Sequence, residues 1–194
     1  MMPKTDPASY PGRVIPGPQC PGPDRAGIFA TSRQRADDSL IVGYVDADYA
    51  RDLDKRRSIT GYIFTFDNCT INWKAQLQSV VGLSTTEDEY TTAAEAIKEV
   101  IWLKGMLKEL GVDKNLVVIH CDSQSVICLS KNQTHHEKTK HIDIKLHFIR
   151  LEVSKATVKL QKIHTDNNVA NMLTKAIPGA KFMFCLNLVD ICSR

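Results

Sequence analysis

Residues 41–50 read IVGYVDADYA. An apolar run, β-branched and aromatic, leads through Val45 into Asp46, Ala47 and Asp48. Such a run reads as a buried strand, here ending at Asp46. Acids at the end of a buried strand have two explanations. Asp is common in turns where strands stop. Carboxylate oxygen is also what a hard cation such as Mg²⁺ prefers. Acids at the ends of other elements decide between the two.

Downstream, Ser58–Phe66 (SITGYIFTF) predicts a second strand, closed by a turn at Asp67-Asn68, and Thr70–Lys74 (TINWK) a third. Short connections make these an antiparallel meander. Ser84-Thr85-Thr86-Glu87 matches a capping box, and Thr86 to Glu89 matches again, so a helix opens here. Its core face is predicted to carry Tyr90, Ala93, Ala94, Ile97, Ile101 and Leu107, and Gly111 is its stop. Capping uses one of Glu87 and Glu89 and leaves the other for chemistry. Leu116–Cys121 (LVVIHC) is nearly all apolar, as a strand buried on both faces should be. It ends at Asp122, before a helix from about Gln124 to Lys131. Asp122 is either the helix N-cap or, with Ser123 in that role, free.

Asn132–Lys140 is a polar loop carrying the adjacent His135 and His136, a pair more often solvated than metal-bound. In the helix that follows, Ile142, Leu146, Ile149 and Val153 should face the core, with His141, Lys145 and Arg150 outward. Thr157–Ile163 predicts a fifth strand, and Val169–Lys175 a short helix stopped by Pro178 and Gly179. The apolar tail from Lys181 reads as another short, packed helix.

The remaining composition bounds the classes. With 194 residues the chain suffices for one domain with a proper core. A net charge of +3 neither requires nor excludes a nucleic-acid partner. No apolar run reaches the roughly 18 residues of a membrane span, and no signal-peptide core is present. The six cysteines form no C-x-x-C, which argues against zinc and for a reducing, intracellular setting. Seven of the eight prolines lie between Pro3 and Pro23. The expected organisation is a disordered leader over 1–38, a folded domain over 39–178 and an extension over 179–194.

Taken together, the runs GYVDADYARDLDKRRSITGYIFT, INWKAQLQSVVGLSTTEDEY, EAIKEVIWLKG, HCDSQSVICLSKN, HHEKTKHIDIKLHFIR and NMLTKAIP closely resemble the ribonuclease H domain of copia-type retrotransposon Pol polyproteins. They cover roughly residues 40 to 188, in family order and spacing. The resemblance implies an α/β fold with a five-stranded mixed sheet flanked by helices. It implies hydrolysis of the RNA strand of an RNA–DNA hybrid with two Mg²⁺ ions, Mn²⁺ being a possible replacement. Phosphodiester cleavage places charge on the entering and leaving oxygens, and two cations about 4 Å apart clamp both. By motif, the ligands are Asp46, Glu89 and Asp122, with Asp48 at most a supporting group.

The fourth position departs from the family. Where the family reads approximately N-P-A-D-M-L-T-K, this chain has Asn168-Val169-Ala170-Asn171 before MLTK. Asn171 offers an amide oxygen but no charge, so weaker binding of one ion is expected, and Asn171→Asp should lower the Mg²⁺ requirement. Asp166 is a conceivable substitute. A catalytically weakened module that binds nucleic acid or protein, or a transposon relic, is the competing reading. The expected partners are an RNA–DNA hybrid, contacted through Lys74, Lys140 and Lys145, and the reverse transcriptase region of a parent polyprotein. The domain itself should be monomeric. Protease, integrase and reverse transcriptase do not fit into residues 1–39, so the chain reads as a fragment.

Overall fold

In the computed structural model the described residues are 41–67, 69–112, 116–131 and 140–191, with side chains in the last span from Asp143 onward. The proline-rich segment, the His135–His136 pair and the side chains of Lys140, His141 and Ile142 lie outside them.

The strands are β1 (Ile41–Asp48), β2 (Ile59–Phe66), β3 (Cys69–Leu77), β4 (Val117–Cys121) and β5 (Val158–Lys162). The helices are α1 (Thr85–Glu109), α2 (Gln124–Lys131), α3 (Lys140–Ser154), α4 (Asn171–Thr174) and α5 (Gly179–Leu188). One five-stranded sheet has the order β3-β2-β1-β4-β5. The meander β1-β2-β3 is antiparallel, whereas β4 and β5 run parallel to β1. This is the mixed sheet that the resemblance implies.

Period-two alternation along the central strands builds two cores. Val45, Tyr62 and Phe64 point to one face and pack with Ile97, Val100 and Leu103 of α1 and Ile149 of α3. Ile63, between Tyr62 and Phe64, points to the other and meets Val169, Cys185 and Val189. Both faces of β2 and β4 are therefore buried, which is why their sequences are apolar runs rather than alternations.

Ser84 caps α1, accepting from Glu87 N–H, and the Glu87 carboxylate accepts from Leu83 N–H at 2.9 Å, one residue before the cap. Capping thus takes Glu87 and leaves Glu89. At the other end Gly111, with φ of 76°, takes the left-handed conformation that closes helices at little cost.

Several boundaries and orientations differ from the sequence expectation. β1 continues two residues past Asp46 to Asp48, because Asp46 pairs with Gly61 and Asp48 with Ile59 across the β1–β2 ladder. β3 continues past Lys74 to Leu77, since its ladder with β2 runs to Ile59. On α1, Val100 and Leu103 are buried and Ile101 is 42% exposed, the core stripe stepping by three residues from Ile97 rather than four. Arg150 does not point into solvent: its Nε donates to the Leu129 carbonyl at 2.9 Å and ties α3 to α2. The helix expected at Val169–Lys175 is reduced to the single turn Asn171–Thr174.

Candidate active site

The parallel register pairs Val45 with Cys121, so Asp46 and Asp122 each directly follow one of this pair, Asp122 just past the end of β4. α1 descends over this end of the sheet with Glu89 in its second turn. One ligand atom each of Glu89, Asp122 and Cys121 lies within 4.8 Å of the others. Residues distant in sequence are thus brought to one corner of the sheet.

The Glu89 carboxyl is short of positive charge. Burial pushes its pKa up to about 8, the carboxylates of Asp46 and Asp122 add to the rise, and Lys175 and the Ala47 backbone only partly offset it. Its Oε2 is buried with no hydrogen-bond partner. An orphaned buried carboxylate oxygen beside a second acid is a fit for a hard divalent cation. Cys121 does not join the donor set: burial pushes its thiol up to about 12, so it stays protonated and packs as a small apolar group. Its Sγ accepts from Ser123 N–H at 3.3 Å.

Asp46 is held differently. Its side chain is 1% exposed and its Oδ1 accepts from Lys175 Nζ at 2.8 Å. The Thr174 hydroxyl donates to its other oxygen. Burial raises the Asp46 pKa, and the bonds from Lys175 and Thr174 pull against that rise. For Lys175, burial works against the charge, but the bond to Asp46 and the nearby Asp122 and Glu89 raise its pKa overall. Asn171 sits beside this pair, its Oδ1 accepting from the same Lys175 Nζ at 2.9 Å. Its Nδ2 donates to the Thr165 carbonyl at 2.7 Å, which fixes which way the amide points.

Comparisons with known proteins bear on the family and the fold. No family model matches the chain. It is 51% identical over 157 residues to a retrovirus-related Pol polyprotein from transposon TNT 1-94 of Nicotiana tabacum, a match covering 81% of this chain and 12% of that protein. It is 34% identical over 157 residues to the Pol polyprotein of transposon RE2 of Arabidopsis thaliana, covering 80% of this chain and 11% of that one. The chain's homologues are Pol polyproteins of copia-type transposons. It spans only about a tenth of the length of these relatives, 11–12%. Among solved structures, ribonuclease H1 of Halobacterium salinarum superposes with a TM-score of 0.53 at 12% identity, over 69% of this chain and 93% of that one. The ribonuclease H1 called LC11, solved in complex with an RNA/DNA hybrid, gives 0.50 at 17% identity, over 69% and 93%. The copia-type chain therefore has the ribonuclease H fold.

Other sequence candidates of this ribonuclease H-type domain take lesser places. Asp48, half-buried, is 3.7 Å from the exposed Arg51. Asp166, its side chain 80% exposed, pairs with His164 and is no substitute for a fourth acid. Lys74 lies 4.0 Å from Glu95, and Lys145 donates to Thr91 Oγ1 at 2.8 Å. Both line a groove of about 360 Å³ between β3, α1 and α3. Lys175 and Thr174 were missed in the sequence as site residues. The signal was weak: they lie in the MLTK run, and only the fold reveals that their partner is Asp46. Asp88 was also missed. It is fully buried next to Glu89, accepts from the Ser58 hydroxyl, and fastens α1 to the start of β2.

Proposed function

We propose that this domain is a divalent-metal-dependent endonuclease that hydrolyses the RNA strand of RNA–DNA hybrids. The observation that carries the reading is the convergence of Glu89 and Asp122 within 4.8 Å, with a buried Glu89 oxygen left unpaired and Asp46 on the adjacent strand. The hybrid bound to LC11, and the sequence likeness to Pol polyproteins, favour the same substrate. Mg²⁺ or Mn²⁺ would be held by Glu89 and Asp122, and by Asp46 where Lys175 permits. When bound, the ions supply charge stabilisation to the phosphate oxygens during cleavage.

The protein's own part is positional. The ladder with β4 fixes Asp46 relative to Asp122, and the capped, tethered N-terminus of α1 fixes Glu89. Burial of Glu89 Oε2 strengthens its interaction with a cation. Lys74 and Lys145 offer charge to the phosphate backbone, where contacts position the duplex without reading bases. The 2′-hydroxyl is the feature that tells the RNA strand from DNA.

Asn171 favours a second reading, a weakened module that holds hybrid without cutting it. A Mg²⁺ titration with the hybrid labelled separately on each strand decides between them. The nuclease reading expects fragments from the RNA strand alone. Retention of the hybrid with no fragments at any Mg²⁺ or Mn²⁺ concentration supports the weakened module and overturns the nuclease.

A further inference from the structure

Position 171 carries an uncharged amide, and a cation is already in place beside it. Lys175 Nζ bridges Asp46 Oδ1 at 2.8 Å and Asn171 Oδ1 at 2.9 Å. The Asp46 side chain is 1% exposed, that of Lys175 35%, so the pair is partly shielded from solvent. The Asn171 amide is locked in the orientation that presents its oxygen to the ammonium, because its Nδ2 is spent on the Thr165 carbonyl. Thr174, one residue before Lys175, adds its hydroxyl to the same carboxylate.

We propose that the Lys175 ammonium is an internal counter-ion occupying the second cation position between Asp46 and Asn171, so that the domain loads one divalent ion, on the Glu89–Asp122 side. This deepens, and rests on, the metal-dependent reading above. The charge balance supports it. Around Asp46 and Asn171 the protein offers one negative charge, which one ammonium neutralises. A divalent ion entering there would have to displace a tethered cation from a shielded carboxylate while gaining only a neutral amide. At Glu89 and Asp122, among the described residues, no ammonium pairs directly with either carboxyl, and Lys175 acts on them only through space. Lys175 thus acts as a positioning residue: it orients Asp46, and it sets the metal count.

The test is Mn²⁺ stoichiometry on the purified chain by calorimetry, with electron paramagnetic resonance of the loaded protein. The wild type should bind one Mn²⁺ and give the six-line spectrum of an isolated ion. Lys175→Met should admit a second, weaker ion and show spin coupling between the two. Lys175→Arg, which keeps the charge, should return the count to one. Two coupled ions in the wild type would overturn the proposal and leave the nuclease reading intact. One ion in both wild type and folded Lys175→Met would overturn it likewise. If Lys175→Met does not fold, the wild-type spectrum alone still decides. No Mn²⁺ binding to the wild type would overturn both the counter-ion and the metal-dependent reading beneath it.

Discussion

Both ends of the Asn171 amide are committed, and this changes what its replacement should do. From the sequence, Asn171→Asp restores a missing acid and lowers the Mg²⁺ requirement. In the fold, the same change sets a carboxylate oxygen against the Thr165 carbonyl at the 2.7 Å now spanned by a hydrogen bond. Losing that bond and opposing two acceptors should cost about 1–3 kcal/mol in the metal-free protein, measurable by urea unfolding in EDTA. On the counter-ion proposal, the Asn171→Asp/Lys175→Met double variant, with a carboxylate gained and the ammonium removed, should bind two Mn²⁺. Glu89 gives a second prediction. Its pKa rises from about 4.5 in the unfolded chain to about 8 in the fold. The fold therefore binds the extra proton between those values, and the metal-free protein should lose stability as pH rises from about 4.5 to 8, then level off. Glu89→Gln should flatten this slope. A thermal-unfolding series in EDTA across that range checks the sign; stability rising with pH through the window in the wild type would contradict the burial of Glu89.

At the scale of elements, most of the chain was legible. Hydrophobic runs bounded by turns located all five strands, and the capping box placed the start of α1 at its cap. What escaped was which partner a residue meets. Ile101 was assigned to the core of α1 because periodicity allows steps of three or four; packing against the sheet chose Val100. Arg150 was assigned to solvent because no sequence rule reveals that α2 leaves a carbonyl within its reach. The end of β1 was placed at Asp46 because an acid there suggests a strand's end, yet the ladder continues. The single turn of α4 is anchored by close approach to β2. A Cβ on Gly61 would come within 2.4 Å of Thr174 Cγ2 and 3.4 Å of the Ala170 carbonyl. Gly61→Val should push α4 off the sheet, detach Thr174 and Lys175 from Asp46, and lower stability by about 1–3 kcal/mol. Calorimetric unfolding checks the loss, and an unchanged melting temperature would show that α4 yields without cost.

For the whole molecule, the sheet order does what no local pattern can. It places β4 beside β1 although the meander and α1 intervene in sequence, and it returns Lys175 to Asp46 across 129 residues. The proposed ligands Asp46, Glu89 and Asp122 were readable by motif within their own runs. The contact of Lys175 with Asp46 was not, because a lysine in a short C-terminal turn carries no mark of its partner. The same assembly leaves Lys74 and Lys145 on one groove, and replacing both with Ala should weaken hybrid binding and reduce its salt slope by about two. Filter binding across a salt series measures this, and an unchanged slope would remove the groove from the interface. The most direct test of the central claim is metal-dependent cleavage of an RNA-labelled hybrid by the wild type and by Asp122→Asn, at equal folded concentration. The account predicts RNA-strand fragments with Mn²⁺ in the wild type, none in EDTA, and a loss on the order of 100-fold or more in the variant. Cleavage that survives Asp122→Asn undiminished, or a wild type that binds the hybrid and never cuts it, would contradict it.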